Sequence, residues 1–229
     1  KKILLIGGSS SVGKYLIRDL KKLDYVIIST HTRKIKKKIN GIENIHLNLN
    51  CQKSINEFLC NKIIKNHKFD ALVYLSAVIE GKNINQYSDD LINEAMQTNF
   101  IGFAKLFKGL GNKFSKNASI IILSSISAER GSYDPVYAAS KGALISFMKS
   151  ISLWMGEKIR INSISPGLIE GSSMYRKMNS KRRSFHKKSS STRKLTKVRD
   201  LSKIIIDVIQ PHWKNMNGAI IRVNGGSYT

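Results

Sequence analysis

The sequence is poor in proline, cysteine and acidic residues, and each shortage excludes a class of protein. Three prolines among 229 residues exclude a proline-rich, extended chain. Cys51 and Cys60, the two cysteines, have neither metal-ligand spacing nor a disulfide framework, so we expect free, buried thiols in a reducing cytoplasm and no metal site. No apolar run reaches the length of a membrane span. The apolar start of the chain is too short, before Gly7-Gly8, for a signal peptide.

Acidic residues are few: 15 Asp and Glu face 39 Lys and Arg, which leaves a net charge of +24. Such a surplus favours anionic partners, among them a phosphorylated cofactor, an anionic substrate or an acidic carrier protein. A compositional bias without any partner remains the alternative, because the basic residues are spread over most of the chain. Nucleic acid is not expected, since no nucleic-acid motif is present and few aromatics flank the basic runs.

Short apolar runs alternate with longer amphipathic segments along the chain. The runs rich in Ile and Val are typical of buried parallel strands. They predict strands at Ile3–Ile6, Tyr25–Ser29, Ile45–Leu49, Ala71–Leu75, Ser119–Leu123, Arg160–Ile164 and Ala219–Val223. Helical spacing predicts helices at 12–22, 52–66, 89–110, 137–156 and 200–210. This alternation predicts an α/β fold, a Rossmann-like doubly wound parallel sheet of about seven strands with helices on both faces.

The stretch from Arg176 to Arg199 differs from the rest because it carries many basic residues and no acid. A charge run of one sign predicts a solvated or mobile segment. We interpret residues 168–199 as a basic substrate lid inserted between late elements of one domain that spans residues 1–229.

The first predicted strand leads into a small-residue turn, and a helix follows directly. Such a turn lets backbone amides approach a pyrophosphate, while the helix N-terminus offers free N–H groups and a positive dipole end. The candidate cofactor-binding residues here are Gly7, Ser9, Ser10, Ser11, Val12 and Gly13. An ordinary strand-to-helix turn is the alternative, and the position of the turn favours the phosphate site.

The end of the second predicted strand lacks the acid that NAD-selective enzymes use to hold the ribose hydroxyls. Thr30 stands at the expected acid position, with His31 and Arg33 close by. An uncharged or basic patch suits a 2′-phosphate, so NADP(H) is favoured over NAD(H).

A tyrosine and a lysine lie four residues apart in a predicted helix, as Tyr137-Ala138-Ala139-Ser140-Lys141. Residues at this spacing share a helix face, and a nearby ammonium favours the phenolate. We therefore expect a lowered Tyr137 pKa and a role for the phenol in acid/base catalysis. The strand before this helix ends at Ser124-Ser125, where a hydroxyl can bind a substrate oxygen.

The pattern of these motifs resembles the short-chain dehydrogenase/reductase family, including members similar to 3-oxoacyl-[acyl-carrier-protein] reductase. The glycine turn is similar to the family's Thr-Gly-x-x-x-Gly-x-Gly, and Ser124-Ser125 with Tyr137 and Lys141 is similar to its Ser…Tyr-x-x-x-Lys core. The family spacing favours Ser125 over Ser124 as the catalytic serine. The resemblance also implies a catalytic Asn99 that holds a relay water, and further cofactor contacts from Asn48, Leu49, Ser76, Ala77, Tyr137, Lys141, Pro166, Gly167 and Ile169.

The resemblance implies NADP(H)-dependent hydride transfer between a carbonyl and an alcohol. We expect a small-molecule carbonyl or alcohol substrate, and the basic character of residues 168–199 favours one that is anionic or carried on an acidic carrier protein; a solvated lid is the alternative explanation of these charges. The resemblance implies a homodimer or homotetramer.

Three departures from the family pattern favour an alternative, a weakly active or inactive dinucleotide-binding sensor with the same fold. Ile6 replaces the threonine before the turn, Ser11 replaces the middle glycine, and Tyr74-Leu75-Ser76-Ala77 replaces Asn-Asn-Ala-Gly. The complete set of four catalytic residue types argues against this alternative.

Overall fold

The computed structural model describes residues 1–32 and 41–228. In this part of the chain, strands and helices alternate as the sequence predicts. The strands are β1 (Lys2–Ile6), β2 (Val26–His31), β3 (Ile42–His46), β4 (Phe69–Tyr74), β5 (Phe114–Leu123), β6 (Ile159–Pro166), β7 (Ile169–Glu170), β8 (Thr196–Lys197) and β9 (Ile220–Val223). The helices are α1 (Ser11–Lys21), α2 (Gln52–Cys60), α3 (Lys62–Lys65), α4 (Asp89–Met96), α5 (Gly102–Gly109), α6 (Ser127–Arg130), α7 (Pro135–Trp154), α8 (Ser173–Lys177), α9 (Ser180–Ser189) and α10 (Val198–Val208).

Seven of the described strands form one parallel sheet in the order β3-β2-β1-β4-β5-β6-β9. The predicted Rossmann-like sheet is therefore confirmed. The third strand lies earlier than the predicted 45–49, because residues 42–46 are the ones that pair with 27–31 of β2. After one more bond, from Leu47 N to His31 O over 2.9 Å, the chain leaves the sheet.

Both faces of the sheet are covered by helices, as alternate residues of β1 show. Leu4 and Ile6 pack into a core with α2, α5 and α7, whereas Ile3 and Leu5 pack into a second core with α1 and α10. All four side chains are fully buried, and such burial contributes about 1.5–3 kcal/mol for each large aliphatic side chain. This two-sided burial explains why the strand reads as an uninterrupted apolar run.

Two of the predicted helices are interrupted. The 52–66 segment divides at Asn61, which ends α2 and accepts a hydrogen bond from Ile63 N at the start of α3. The 89–110 segment contains a π turn at Gln97–Ile101 between α4 and α5. Gly102, which follows that turn, packs closely against Leu49. A Cβ on Gly102 would lie 2.5 Å from the Leu49 carbonyl oxygen, so this contact requires glycine.

The basic segment contains regular secondary structure. Residues 168–199 contain β7, α8, α9 and β8, and the two short strands pair in parallel. Its charged side chains are mostly exposed, which fits the solvated part of the prediction. The prediction of buried thiols is wrong: Cys60 is exposed and Cys51 half-buried, and both are free.

The order of the strands creates a crevice at one edge of the sheet. β1 lies between β2 and β4, so the connections that leave β1 and β4 depart to opposite faces. In open α/β sheets, ligands bind outside the carboxyl ends of the strands at this kind of reversal. Thr30, Ser125 and Pro166, among the described candidate site residues, lie at or just beyond these carboxyl ends.

Candidate active site

The turn after β1 is tight enough to require glycine. Gly7 has a φ of +86°, and a Cβ there would lie 2.7 Å from the Ser76 Oγ. A Cβ on Gly13 would lie 2.6 Å from the Gly8 carbonyl oxygen. Backbone therefore approaches backbone closely in this turn, and the two glycines named from the sequence permit that approach.

The turn delivers the N-terminus of α1 to the crevice. Ser10 caps the helix by accepting a hydrogen bond from Gly13 N over 3.0 Å, and no acid lies in the first turn. Ser9 is exposed, Ser11 half-buried and Val12 buried. The remaining free amides and the helix dipole make this end receptive to an anion.

Thr30 and His31 end β2 beside this turn but differ in orientation. Thr30 is buried, and its hydroxyl accepts a hydrogen bond from Gly7 N over 3.0 Å, so it holds the glycine turn against β2. The His31 ring is half-buried, and its Nδ1 has no hydrogen-bond partner within the described residues. Burial, and then the nearby His46, lower the pKa of His31. Arg33 lies outside the described residues.

Asn48 and Leu49 follow β3 at the same edge of the sheet. The Asn48 side-chain oxygen accepts a hydrogen bond from Asn50 N, and Asn48 N donates to the Ser54 hydroxyl. Leu49 is buried, and its carbonyl accepts a hydrogen bond from the Gln97 side chain. These contacts fix the loop for which the family resemblance implies cofactor contacts from Asn48 and Leu49.

Asn99 holds the loop that follows β4. Its side-chain oxygen accepts from Val78 N over 2.7 Å, and its Nδ2 donates to Val78 O over 2.9 Å. The same Nδ2 donates to the Ser140 hydroxyl over 2.9 Å, so both of its N–H groups are in use. These contacts hold the loop after β4 against α7, and the relay water expected of Asn99 stays a prediction. Ser76 and Ala77 lie in the loop that it fixes.

Tyr74 replaces the asparagine that the family pattern places at the end of β4. Its ring is fully buried, and its hydroxyl donates to the carbonyl oxygens of Thr98, over 3.0 Å, and Asn99, over 3.2 Å. Both carbonyls belong to the π turn, which leaves carbonyls without their usual helical partners. Tyr74 therefore ties the sheet to the π turn, and this departure from the family pattern has a structural compensation.

Ser125 and Tyr137 meet at the carboxyl end of β5. Both are buried, and their side chains form a hydrogen bond. The neighbouring Ser124 points elsewhere, because its hydroxyl donates to the Lys141 carbonyl oxygen over 3.0 Å. Of the two serines left open by the sequence, Ser125 is therefore the one at the phenol.

Burial controls the protonation of Tyr137 and Lys141. It raises the pKa of Tyr137 to about 12, with the Ser125 hydrogen bond acting in the opposite direction and the Asp134 carboxylate adding to the rise. The expected lowering of the Tyr137 pKa by Lys141 is not found. Lys141 Nζ lies 5.8 Å from the centre of the Tyr137 ring and donates to the Leu123 carbonyl over 2.7 Å, and burial lowers the Lys141 pKa to about 7. A lysine with a pKa near 7 carries its charge only part of the time at neutral pH, so it supports the phenolate less than a fully charged ammonium would.

Asp134 belongs to the site although the sequence analysis did not single it out. Its Oδ1 accepts from Tyr137 N over 2.9 Å and from the Tyr87 hydroxyl over 2.8 Å, and its Oδ2 accepts from Gly81 N over 2.8 Å. This buried carboxylate caps α7 and so fixes the turn that carries the phenol. The Asp134-Pro135 pair is a recognisable helix start, and this sequence signal could have identified Asp134 as the residue that caps α7.

Pro166 and Gly167 end β6 opposite the β5 serines. Ile126 N donates to Pro166 O, and Gly167 N donates to Val223 O, so the turn is fixed to its neighbours on both sides. Ile169 begins β7 and leads into the basic segment. Among the described residues, no group of histidine, cysteine and acidic side chains is arranged to hold a metal ion. No helix in the described part of the chain is long and apolar enough to cross a membrane.

Comparisons with known proteins identify similar sequences and similar folds. A family model described as Enoyl-(Acyl carrier protein) reductase matches residues 20–228. The 3-oxoacyl-[acyl-carrier-protein] reductase of Buchnera aphidicola subsp. Baizongia pistaciae is 27% identical over 242 residues, covering 100% of this chain and 98% of that protein. The corresponding reductase of Rickettsia prowazekii is 31% identical over 191 residues, covering 80% of this chain and 78% of that protein.

Solved structures show the same fold at lower identity. A short chain dehydrogenase family protein from Francisella tularensis has a TM-score of 0.91 at 22% identity, covering 99% of this chain and 98% of that one. A 4-hydroxyisoleucine dehydrogenase complexed with NADH has a TM-score of 0.88 at 22% identity, with the same coverage of 99% and 98%.

Proposed function

The chain belongs to the short-chain dehydrogenase/reductase family of NAD(P)-dependent oxidoreductases, and on that premise we propose that it is an NADP(H)-dependent carbonyl reductase with Tyr137 as its acid/base. The observation that carries this proposal is the meeting of Ser125, Tyr137 and Lys141 at the carboxyl ends of the strands, next to the glycine turn. The glycine turn is compact, because a Cβ on Gly7 or Gly13 would meet the protein's own atoms. It leads directly into the N-terminus of α1, which suits the phosphates of a dinucleotide. When bound, NADPH supplies the hydride that reaches the carbonyl carbon.

Tyr137 donates the proton in the proposed reduction. Its raised pKa keeps the phenol protonated at neutral pH, which is the form that a proton donor needs. As the carbonyl carbon receives the hydride, negative charge develops on the oxygen, and the phenol proton moves to that oxygen. Ser125 donates a hydrogen bond to the same oxygen and stabilises the developing charge.

Lys141 restores the proton after the reaction and holds the ribose hydroxyls of the cofactor. Its pKa of about 7 lets it release and regain a proton near neutral pH. Asn99 keeps the loop carrying Ser76 and Ala77 in place beside the cofactor, through both backbone groups of Val78.

The residues at the end of β2 support NADP(H) over NAD(H). No acid stands there to hold a free 2′-hydroxyl, and the His31 Nδ1 lacks a partner in the described part of the chain. The lowered pKa favours a neutral imidazole, which can carry its proton on Nδ1 and donate it to a phosphate oxygen. The ribose 2′-phosphate is the group we propose for it.

The proposed substrate is a 3-oxoacyl chain on an acidic carrier protein. The names of the curated relatives from Buchnera aphidicola and Rickettsia prowazekii give this substrate for those proteins. In this chain, residues 168–199 form the proposed lid, and helix α9 within it presents exposed basic side chains and no acid. A positive surface beside the site favours encounter with an acidic carrier.

We also propose that the chain assembles as a homodimer or homotetramer. Leu153 and Trp154, at the end of α7, are 88% and 77% exposed. Large apolar side chains this exposed favour a protein interface. Light scattering during size exclusion, on the wild type and on a Leu153→Glu variant, measures the assembly.

The test of the proposed function is a titration with NADPH and NADH, followed by turnover assays at the nicotinamide absorbance. The carbonyl substrates are a 3-oxoacyl group on acyl carrier protein, the same acyl group on coenzyme A, and small aldehydes and ketones. We expect tighter binding of NADPH and the highest kcat/KM for the carrier-bound substrate. Tyr137→Phe is the matched control, which should bind NADPH as the wild type does but lose turnover by about 10²–10⁴-fold.

Three outcomes contradict the proposal at different levels. Full turnover by Tyr137→Phe removes the acid/base assignment. Preference for NADH removes the coenzyme assignment. Nucleotide binding without turnover of any carbonyl substrate supports a sensor in place of an enzyme.

A further inference from the structure

Arg176, in the basic segment, reaches the glycine turn at the opposite end of the sequence. Its NH2 donates a hydrogen bond to the Ser11 hydroxyl over 3.1 Å. The Ser173 hydroxyl lies 3.5 Å from the same Ser11 oxygen. A guanidinium and two hydroxyls therefore converge at the N-terminus of α1.

The position of Arg176 is fixed from its own side of the crevice. Its NH1 donates to the Gly171 carbonyl over 2.5 Å. Its backbone carbonyl accepts from Arg183 NH2 over 2.9 Å, while Arg183 Nε donates to Tyr175 O and its guanidinium lies 4.5 Å from the centre of the Tyr175 ring. The Arg183 contacts join α8 to α9, while the hydrogen bonds to Gly171 and Ser11 direct the Arg176 guanidinium towards the glycine turn.

The charge at this place is unbalanced. Arg176 forms no ion pair with any residue that the structure describes, and the first turn of α1 contains no acid. A cation at the positive end of a helix dipole is unfavourable on its own. An anion placed between the helix end and the guanidinium is attracted by both, so the arrangement favours an anionic ligand.

Ser11 makes this arrangement possible because it departs from the family pattern. Glycine, the family residue at this place, has no side chain to accept a hydrogen bond, whereas the Ser11 oxygen accepts one from Arg176. The Ser11 hydroxyl proton is then available to a ligand on the same side.

We propose that Arg176 and Ser11 together bind the diphosphate bridge of the dinucleotide, so that cofactor binding fixes the basic segment over the site. This inference rests on the proposed function, since it assigns a further contact to the same cofactor. In place of the close backbone approach that a middle glycine permits, this chain uses a side-chain hydroxyl and a cation from the lid. NADPH and NADH share the diphosphate bridge, so this contact contributes equally to the affinity for both.

The test measures dissociation constants for NADPH and NADH by nicotinamide fluorescence, without any turnover. The variants are Arg176→Ala, Ser11→Ala and their combination, with Lys177→Ala as the matched control because Lys177 is the adjacent exposed cation of α8. We expect Arg176→Ala to weaken both nucleotides about 10- to 100-fold, as for loss of a hydrogen bond to a charged group. Ser11→Ala should weaken them less, and Lys177→Ala should change neither.

The ratio of the two dissociation constants identifies the phosphate that is contacted. An unchanged NADPH to NADH ratio in Arg176→Ala supports contact with the diphosphate, and a selective loss of NADPH overturns it in favour of the 2′-phosphate. The loss of affinity in the double variant should be smaller than the product of the two single losses, because the two residues share one contact.

A second readout is amide hydrogen exchange in α8 and α9. Saturating NADPH should slow exchange in residues 173–189 of the wild type, and slow it less in Arg176→Ala. If Arg176→Ala and Lys177→Ala both bind the nucleotides as tightly as the wild type does, this inference is overturned and the proposed function stands. Failure of the wild type to bind either nucleotide refutes the proposed function itself.

Discussion

The side-chain amide of Asn99 donates a hydrogen bond to the Ser140 hydroxyl over 2.9 Å, and that hydroxyl donates to the Tyr137 carbonyl over 2.8 Å. Because Asn99 also holds both backbone groups of Val78, one buried amide joins the loop after β4 to the helix that carries the phenol. This amide therefore fixes the position of the loop after β4 relative to the start of α7.

Asn99→Ala should therefore reduce stability as well as turnover. The change leaves the Val78 amide and carbonyl without their partner, and each buried group left unsatisfied costs about 1–3 kcal/mol. We expect a lower thermal midpoint, by roughly 2–4 °C for each kcal/mol lost, and a raised Kd for NADPH. Calorimetry and nucleotide titration measure the two effects. A variant with wild-type stability would contradict the positioning role.

Alanine substitutions at the two adjacent serines should have different effects. Ser125→Ala removes the hydroxyl at the phenol and should lower kcat by about 10²–10³-fold, as for loss of one donor to a developing oxyanion. Ser124→Ala removes a hydrogen bond to the Lys141 carbonyl and should cost about 0.5–1.5 kcal/mol of stability, with kcat largely kept. Steady-state kinetics and chemical denaturation of both variants decide the assignment. The reverse pattern would make Ser124 the catalytic serine.

Lys141→Met should stabilise the nucleotide-free protein in a pH-dependent way. The Lys141 pKa is about 7 in the folded chain and 10.5 ordinarily, so between these values the unfolded chain binds the extra proton. Wild-type stability then rises with pH across this window, and the cost of the buried ammonium is greatest below pH 7. The advantage of the variant should be largest at pH 6 and shrink by roughly 4 kcal/mol towards pH 10.

The control for this experiment is Lys177→Met, which removes the same charge from an exposed position. Its difference from the wild type should stay nearly constant with pH. Denaturant unfolding from pH 6 to pH 10 measures both variants. A constant difference for Lys141→Met as well would mean that Lys141 keeps its ordinary pKa.

Tyr74→Phe should destabilise the π turn without changing the packing of the ring. It removes the hydroxyl that serves the Thr98 and Asn99 carbonyls, at an expected cost of about 1–3 kcal/mol. Tyr133→Phe is the matched control, because the Tyr133 side chain is exposed, and it should unfold as the wild type does. Equal midpoints for both variants would show that Tyr74 does not support the turn through its hydroxyl.

His31→Asp should shift nucleotide preference towards NADH. A carboxylate at the end of β2 repels a 2′-phosphate and accepts hydrogen bonds from a free ribose. The ratio of Kd for NADPH to Kd for NADH should rise roughly 10- to 100-fold. Asn66→Asp adds the same charge in the loop before β4, at the amino ends of the strands, and should leave the ratio unchanged. An unchanged ratio in His31→Asp would remove the assignment of His31.

Local pattern was enough to predict most of the fold, for physical reasons. Strands buried on both faces, such as β1, are uniformly apolar, and the helices between them keep amphipathic spacing. Tyr137 and Lys141 were found because four residues are one helical turn. The predicted ends of strands and helices were less accurate where a tertiary contact determines them. Leu49, for example, packs on the π turn and does not end the third strand.

The parts of the site that the sequence did not predict depend on burial and orientation. Ser124 and Ser125 are identical neighbours, and only the course of β5 separates their directions. The pKa of Lys141 follows from exclusion of water, which no local pattern reports. Thr30 stood at the expected ribose position, yet its hydroxyl serves the glycine turn.

Asp134 accepts hydrogen bonds from Gly81, Tyr87 and the amide of Tyr137 itself. A molecule that displaces the loop around Gly81 therefore pulls on the first turn of α7 and shifts the phenol. Bulky acyl chains that crowd this loop should react slowly even when they bind well. The preference for acyl-chain length would then depend partly on the Asp134 carboxylate, which does not contact the substrate.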